Sequence, residues 1–591
     1  MRINSMDSIR IWRSPLTRFG NFTKELDDLN ENETVTANKV YTDEELSKIS
    51  VSGFNAIWVH GLLRNMVKSE VFPEFGKNSA IHQKNMNELI GRASRHNLKV
   101  FIFMQPPRGI WDGSDFWKKH PDAGGNIETI RQDGEEVKVR CLCTSTPAVK
   151  RYLETSAAAL ARKLPGLGGI ILITASEYPA HCWSRRGLMA DASGHYNKIE
   201  IECPRCAKRR PGEVVNEVIS LLRDGVRSVS NEMEIICWNW SWTAYEEDPS
   251  PTIIGNLPGD VVYMADFERG DEKTILGRKR KIDEYSLSFS GPSKRFVNST
   301  GIAKKAGLRC VAKLQFGTTH ELATVPNIPL IGNIYDKVKY MRKNEIHGFM
   351  GCWNFGNMIT ANTAAFNSFL TSGELKKKKS ALSEFAAEYF PGCDAGLVTE
   401  AWLIFSEAMD SYPFSMPFLY SSPINYTLAY PIEPSQADKV PCGGSWFMEP
   451  VRGDCLDKSL EGYTLDEVIK GFGTIHKRWK DGLDALEKAL ENSASVHKAE
   501  ELSTAKTCHH VFRSVWNTYR AYKLRKNWKD KNLPSFLKIA EDELENLRQA
   551  LPVVKKDSRQ GFHGEAFAYM FNEKSISEKI IQLKSFLSQE E

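Results

Sequence analysis

The sequence lacks the features that would place it in a membrane or on a nucleic acid. No apolar run approaches the roughly 18 residues needed to cross a bilayer. The opening Met1-Arg-Ile-Asn-Ser-Met-Asp7 has no apolar segment like that of a secretion signal. Charge of one sign is missing as well: 78 Lys and Arg face 74 Asp and Glu, a net +4 that makes no general case for nucleic acid. The local basic runs Gly277-Arg-Lys-Arg-Lys281 and Lys376-Lys-Lys-Lys379 read as solvated faces. There is no internal repeat and no low-complexity linker. Of the 12 Cys, several fall inside predicted strands (Cys237, Cys310, Cys352), where they act as small buried hydrophobes rather than bridge partners. Reduced thiols and a cytoplasmic location are therefore expected, with no membrane or nucleic-acid partner; the oligomeric state is left open.

What is present is an alternation of short apolar strands with helical or loop-rich connections. Strands are predicted over Ser8–Arg13, Phe54–His60, Lys99–Met104, Gly169–Thr174, Met233–Trp240, Asp260–Asp266, Leu308–Gln315 and His347–Trp353. Helices are predicted between them, among them Pro147–Leu164, Pro211–Val229 and Asp336–Asn344, and Gly53 and Gly307 stand where they can close a helix before a strand. Eight such units over about 350 residues predict an α/β fold, a (β/α)8 TIM barrel with enlarged loops. A doubly wound open sheet would normally carry a Gly-rich phosphate loop after its first strand, and Trp12-Arg-Ser-Pro-Leu16 contains none. The barrel is assigned to residues 1–360. Residues 361–591 read as a mainly helical C-terminal domain (Ser380–Phe390, Leu397–Ser411, Leu465–Asn492, Ala499–Trp528, Leu533–Leu551) with a Pro-, Tyr- and Ser-rich insert near 413–450.

The chemistry is read from Gly168-Gly-Ile-Ile-Leu-Ile-Thr-Ala-Ser-Glu-Tyr-Pro-Ala-His-Cys182. Its apolar run describes a strand buried on both faces, which leaves Glu177 just past the C-terminal end, where barrels of this kind hold their active sites. The other strand ends supply Arg13, His60, Gln105, Asn239 to Trp242, Asp266, His320 with Glu321, and Trp353 with Asn354. Trp238-Asn-Trp-Ser-Trp242 offers flat apolar faces with N–H donors, suited either to stacking on sugar rings or to core packing. Glycosidic cleavage uses paired carboxylates, an acid and a nucleophile or base. Glu177 and Glu321, after strands four and seven, are the expected pair, with Arg13, His60, Asn239, Trp240, Trp242, Asp266, Tyr285, His320 and Trp353 as substrate contacts. Asp557–His563 reads as a surface turn that could alternatively reach the mouth, and Tyr412–Tyr430 as a segment that could cover it.

Gly169–Glu177, the preceding Cys141-Leu-Cys-Thr-Ser-Thr-Pro147 and the Trp-rich fifth strand resemble the barrel of glycoside hydrolase family 20 hexosaminidases and their relatives. That resemblance implies a glycosidase with Glu177 as general acid. Ser176 stands where the family has the Asp that orients the substrate's acetamido group. A Glu after strand seven is instead similar to the retaining glycosidases of the large clan that includes β-galactosidases, which implies Glu321 as nucleophile. A carbohydrate or glycoconjugate substrate follows, with no cofactor needed for the chemistry. His181, Cys182 and Cys203-Pro-Arg-Cys206 have the ligand types of a structural zinc site, and equally the look of reduced residues in a long loop. The alternatives to a glycosidase are a barrel that binds carbohydrate without cleaving it, and a metal-dependent hydrolase using the Cys/His loop.

Overall fold

The computed structural model describes residues 8–590, apart from 19–25, 28, 30–31, 133–134, 176, 185–187, 191–195, 199–200, 318, 435–455 and 527. Eight parallel strands close into one ring: β1 (Ile9–Trp12), β2 (Ala56–His60), β3 (Lys99–Met104), β4 (Gly169–Ile173), β5 (Glu234–Trp238), β6 (Val262–Asp266), β7 (Arg309–Leu314) and β8 (Gly348–Gly351). Each pairs with its sequence neighbours, and β8 pairs with β1 through Ile9 opposite Gly348. All eight sit where the apolar runs placed them, each within a residue or two at its ends.

Alternation of side chains builds two cores from one sheet. Along β4, Ile171 and Ile173 point into the barrel with Phe101, Phe103, Trp58, Trp238 and Met264, while Ile170 and Leu172 pack outward against the helices. Each such side chain contributes about 1.5–3 kcal/mol when fully buried. Gly169 is required by the sheet itself, since a Cβ there would lie 2.4 Å from the Glu234 carbonyl oxygen. Outside, Pro147–Lys163 starts on the side chain of Thr146, which accepts from Val149 N–H, and Pro211–Arg227 buries a stripe of Val214, Val218, Ile219, Leu222 and Val226.

The connections after three strands carry small antiparallel sheets, that of β4 being Leu188–Ala190 paired with Tyr196–Lys198. The β3 connection carries a three-stranded antiparallel ribbon (Ile110–Trp111, Gly124–Gln132, Glu135–Leu142), and the β6 connection carries the hairpin Asp271–Ile275/Arg278–Ile282. Helix Ala361–Thr371 follows β8 directly and packs on Ile331–Lys343. Beyond it come Lys378–Tyr389, Ala395–Ala408, Leu465–Ala489, Lys498–Lys526, Leu533–Lys556 and Glu573–Glu590. Inside this helical part Lys579 Nζ bonds Glu543 (2.5 Å) and the Thr427 carbonyl (2.8 Å), which pins the stretch before residue 435 to the bundle. No helix among the described residues is long and apolar enough to cross a membrane.

Candidate active site

The barrel brings Glu177 to its C-terminal mouth on a turn in the left-handed region, φ 70°. Such a φ is costly for a residue with a Cβ and persists only when the surroundings impose it. Here they do. The Ala175 carbonyl accepts from Tyr245 O–H (2.8 Å), the Pro179 carbonyl from Gly109 N–H (2.7 Å) and the Ala180 carbonyl from Leu142 N–H (3.2 Å). Gln105, just past β3, donates Nε2 to Glu177 Oε2 at 3.1 Å and is itself gripped by Arg108, whose guanidinium lies 3.3 Å from the centre of the Tyr178 ring. Glu177 is exposed to solvent, yet protein atoms surround its carboxyl on most sides, as in the wall of a concave site. That enclosure pushes its pKa up to about 8; Glu284 raises it further and the Arg108 and Arg269 cations oppose the rise.

Facing it is a carboxylate that the sequence analysis passed over. Glu284 stands at the return of the β6 hairpin, 3% exposed, and accepts from its neighbour Tyr285 N–H (2.9 Å) and from Tyr420 O–H (2.6 Å). His320 Nε2 is 3.9 Å from its Oε1, and the imidazole stacks on Tyr285 with centroids 5.9 Å apart. Burial and the Lys313 and Arg269 cations hold His320 well below the usual histidine range, so it is neutral. Asp266, at the end of β6, accepts from Trp238 Nε1 (3.0 Å) and from Arg269 (3.4 Å); burial raises its pKa. Trp240 is partly exposed, covered on one side by the Arg269 guanidinium at 3.9 Å and packed beside Tyr285 at 5.5 Å. Lys313 of β7 lies 3.8 Å from the Tyr285 ring centre, and Trp353 stacks on Trp58 (5.1 Å, 21°). The structure thus gathers Glu177, Trp240, Asp266, Tyr285, His320 and Trp353 around one mouth and adds Gln105, Arg108, Arg269, Glu284, Lys313 and Tyr420.

The remaining expected residues are placed differently. Glu321 is 0% exposed, and its oxygens accept from Ser286 Oγ (2.9 Å), Leu287 N–H (2.7 Å), Ser288 N–H (3.2 Å), Ser288 Oγ and Thr319 Oγ1 (3.4 Å). Its lone pairs are taken up by the 286–288 loop and Thr319. Arg13 is fully buried, bonded to Glu33 and packed 3.9 Å over Trp58, so its charge is paired at Glu33 rather than beside a mouth carboxylate. His60 is 4% exposed; burial and the Arg108 and Arg13 cations keep it neutral, and its backbone N–H is held by Glu33 (2.9 Å). Trp242 is 1% exposed with Nε1 bonded to Thr174 Oγ1 (3.1 Å), a core position, and Asn239 Nδ2 is directed to Tyr263 O–H (2.9 Å). The turn at Asp557–His563 is not a surface loop: Gly561 N–H bonds the Thr324 carbonyl (2.7 Å) and buried His563 packs 5.3 Å from Phe355, itself against His320.

A signal for Glu284 was present in the sequence. Asp271–Ile275 and Arg278–Ile282 flank Leu276-Gly277, a hairpin pattern, and Glu284 follows its second arm. Read as a ribbon, the basic run explains itself as one strand of an excursion that must return to the barrel at residues 283–285.

The sulfur ligands regroup as well. Cys182, Cys203 and Cys206 meet Cys143, with all four Sγ atoms within 4.8 Å of one another. His181 stays out of the set: its Nε2 bonds the Thr174 carbonyl (2.5 Å) and its Nδ1 accepts from Trp183 N–H (3.3 Å).

No protein-family model and no curated protein matches the sequence. Among solved structures the chain is similar to a GH138 enzyme targeting pectin rhamnogalacturonan II, at 11% identity and TM-score 0.56, covering 98% of this chain and 67% of that one. It also matches the Thermobaculum terrenum O-GlcNAc hydrolase at 11% identity and TM-score 0.35 (93% and 94% covered), and CpGH84B at 10% and 0.36 (92% and 73%). The neighbours named are glycoside hydrolases, family 20 is not among them, and at such identities what the first of them shares with this chain is the fold: a barrel continued by further structure along nearly the whole length.

Proposed function

We propose that this protein is a glycoside hydrolase acting at the mouth around Glu177, with Glu177 as general acid/base and Glu284 as the opposing carboxylate. One observation carries this reading: an accessible carboxyl whose surroundings keep it protonated near neutrality, within electrostatic reach of a second, hydrogen-bonded carboxylate. Cleaving an acetal needs two carboxyl groups in different surroundings, one to donate a proton to the leaving oxygen and the other to oppose a cationic centre. Tyr420 O–H and Tyr285 N–H present Glu284 as an acceptor, the form in which it can stabilise or capture that centre. Trp240 supplies the partly exposed ring for a sugar face.

This assignment replaces Glu321, whose lone pairs are all engaged, and leaves the retaining outcome as a property of Glu177 and Glu284. Substrate assistance by an acetamido group rests on position 176, which lies outside the described residues. The test is turnover of a panel of aryl glycosides by the intact chain, followed by proton NMR of the first-formed anomer. Hydrolysis of at least one member with retention is expected. Saturable sugar binding that depends on Trp240, without turnover of any member, would make this a binding barrel instead.

A further inference from the structure

Four thiols from two connections, one from that of β3 and three from that of β4, converge beside the Glu177 loop. Cys143 follows the antiparallel ribbon of the β3 connection, four residues before helix Pro147–Lys163; Cys182 lies five residues past Glu177; Cys203 and Cys206 precede helix Pro211–Arg227. All four are buried, and they form an apolar cluster of their own with Trp183, Ile201 and Val214, apart from the barrel core. Cys143 Sγ stands 3.6 Å from Cys203 Sγ and 3.5 Å from Cys206 Sγ. Disulfide sulfurs would stand about 2.05 Å apart, whereas four sulfurs each about 2.3 Å from one ion stand about 3.8 Å apart. Gly125 is fitted to the cluster: a Cβ there would lie 2.1 Å from Cys182 Sγ.

We propose that Cys143, Cys182, Cys203 and Cys206 bind one zinc ion as a closed four-thiolate site that clasps the β3 and β4 connections together beside Glu177. Soft thiolates in a tetrahedron select zinc among the common divalent ions, and a full set of four protein ligands leaves no position for an activated water. The site is therefore structural, and chemistry of the metal-dependent hydrolase kind has no place to occur in it. The surroundings are built to orient the ligands. Asn126 Oδ1 accepts from Cys203 N–H (2.7 Å), Trp183 Nε1 donates to the Cys206 carbonyl (3.2 Å), and the Cys143 N–H bonds the Ala123 carbonyl (2.8 Å). Arg205 reaches Cys143 and Cys203, where its charge offsets the excess negative charge of four thiolates on a divalent ion. The proposal is independent of the glycosidase reading.

Native mass spectrometry of the full chain from zinc-supplemented culture should find one zinc per chain, and X-ray absorption should find four sulfur neighbours at about 2.3 Å. A metal-free chain, or a shell containing nitrogen or oxygen, overturns the site. Cys143→Ser should lose the ion and His181→Gln should keep it; because the Ser variant could fail to fold, the wild-type measurements stand on their own. Stripping zinc from the folded protein should speed amide exchange across residues 174–184 and 201–208 by about tenfold or more, leaving β5 to β8 protected. Unchanged exchange overturns the clasp.

Discussion

Glu177 and Glu321 both follow a barrel strand, and they have opposite surroundings. The β4 connection turns Glu177 toward open space, gives it one side-chain donor, Gln105, and crowds it with protein atoms and a second carboxylate, so its proton is retained to about pH 8. The β7 connection folds Glu321 away from solvent and surrounds it with hydroxyl and N–H donors from residues 286–288 and 319. One is an under-solvated acid with room for a ligand; the other is a carboxylate used as a nail for a loop. A position after a strand brings a residue to the right end of the barrel, and the donors around it then determine whether it can react.

The largest expected effects are on turnover, and they sharpen that contrast. Glu284→Ala should lower hydrolysis of activated and natural glycosides alike by about 10⁴–10⁶-fold. Glu177→Ala should cost about 10²–10⁴-fold on substrates with poor leaving groups while sparing activated aryl glycosides, with added azide restoring part of the rate. Near-normal rates for Glu284→Ala, with Glu177→Ala impaired, would move the opposing role to Asp266. Glu321→Gln belongs to the other side of the comparison. Losing charge-assisted acceptors for buried donors should lower stability by about 1.5–3 kcal/mol, read as a reduced melting temperature, while the folded variant keeps its leaving-group dependence. If Glu321→Gln instead kept full stability and lost turnover as Glu284→Ala does, the contrast would be broken.

The barrel was legible because it rests on composition and period. Each strand is a bounded apolar run with β-branched residues, and eight of them separated by helical patterns leave few topologies. Glu177 was legible for the same reason, as the carboxylate closest behind the most apolar strand. Glu284 was not, because it lies 18 residues past Asp266, beyond an inserted hairpin whose charges suggested a solvated surface. Tyr420 and His563 come from the helical part and meet the mouth only through tertiary packing. Arg13 and His60 show the converse: strand-end polarity identified them, but burial against Glu33 and Trp58 depends on neighbours no local pattern encodes. Nothing local marks Cys143 as a ligand, since its partners lie about 40 to 60 residues downstream.

A smaller effect separates the tryptophans as the carboxylates are separated. Trp240 is partly exposed at the mouth and Trp242 is buried on Thr174, so Trp240→Ala should weaken sugar binding by about 1–3 kcal/mol with little change in melting temperature. Trp242→Ala, a large-to-small change in the core, should instead destabilise by about 3–5 kcal/mol. Equal effects on the Michaelis constant would place both rings in the core or both at the site.

The smallest expected effect concerns the Glu177 proton itself, and it can be read without any substrate. Its pKa is raised from an ordinary 4.5 to about 8 in the folded protein. Between those values the folded chain binds a proton that the unfolded chain releases, so the contribution of Glu177 to stability is fully present below about pH 4.5 and is lost as the pH rises toward 8. Gln cannot titrate and so escapes that loss. The melting temperature of Glu177→Gln relative to wild type should therefore climb across this window and level off above it. Because Glu177 keeps contact with solvent, the shift should be modest, and its pH dependence is the informative part. The same proton governs activity: as general acid, Glu177 must be protonated, so kcat/KM should fall as pH passes about 8, the pH at which the melting-temperature difference levels off. A flat difference between variant and wild type from pH 4.5 to 8 would mean that Glu177 is ionised at neutrality, and the acid would then have to be sought in another mouth group such as Asp266.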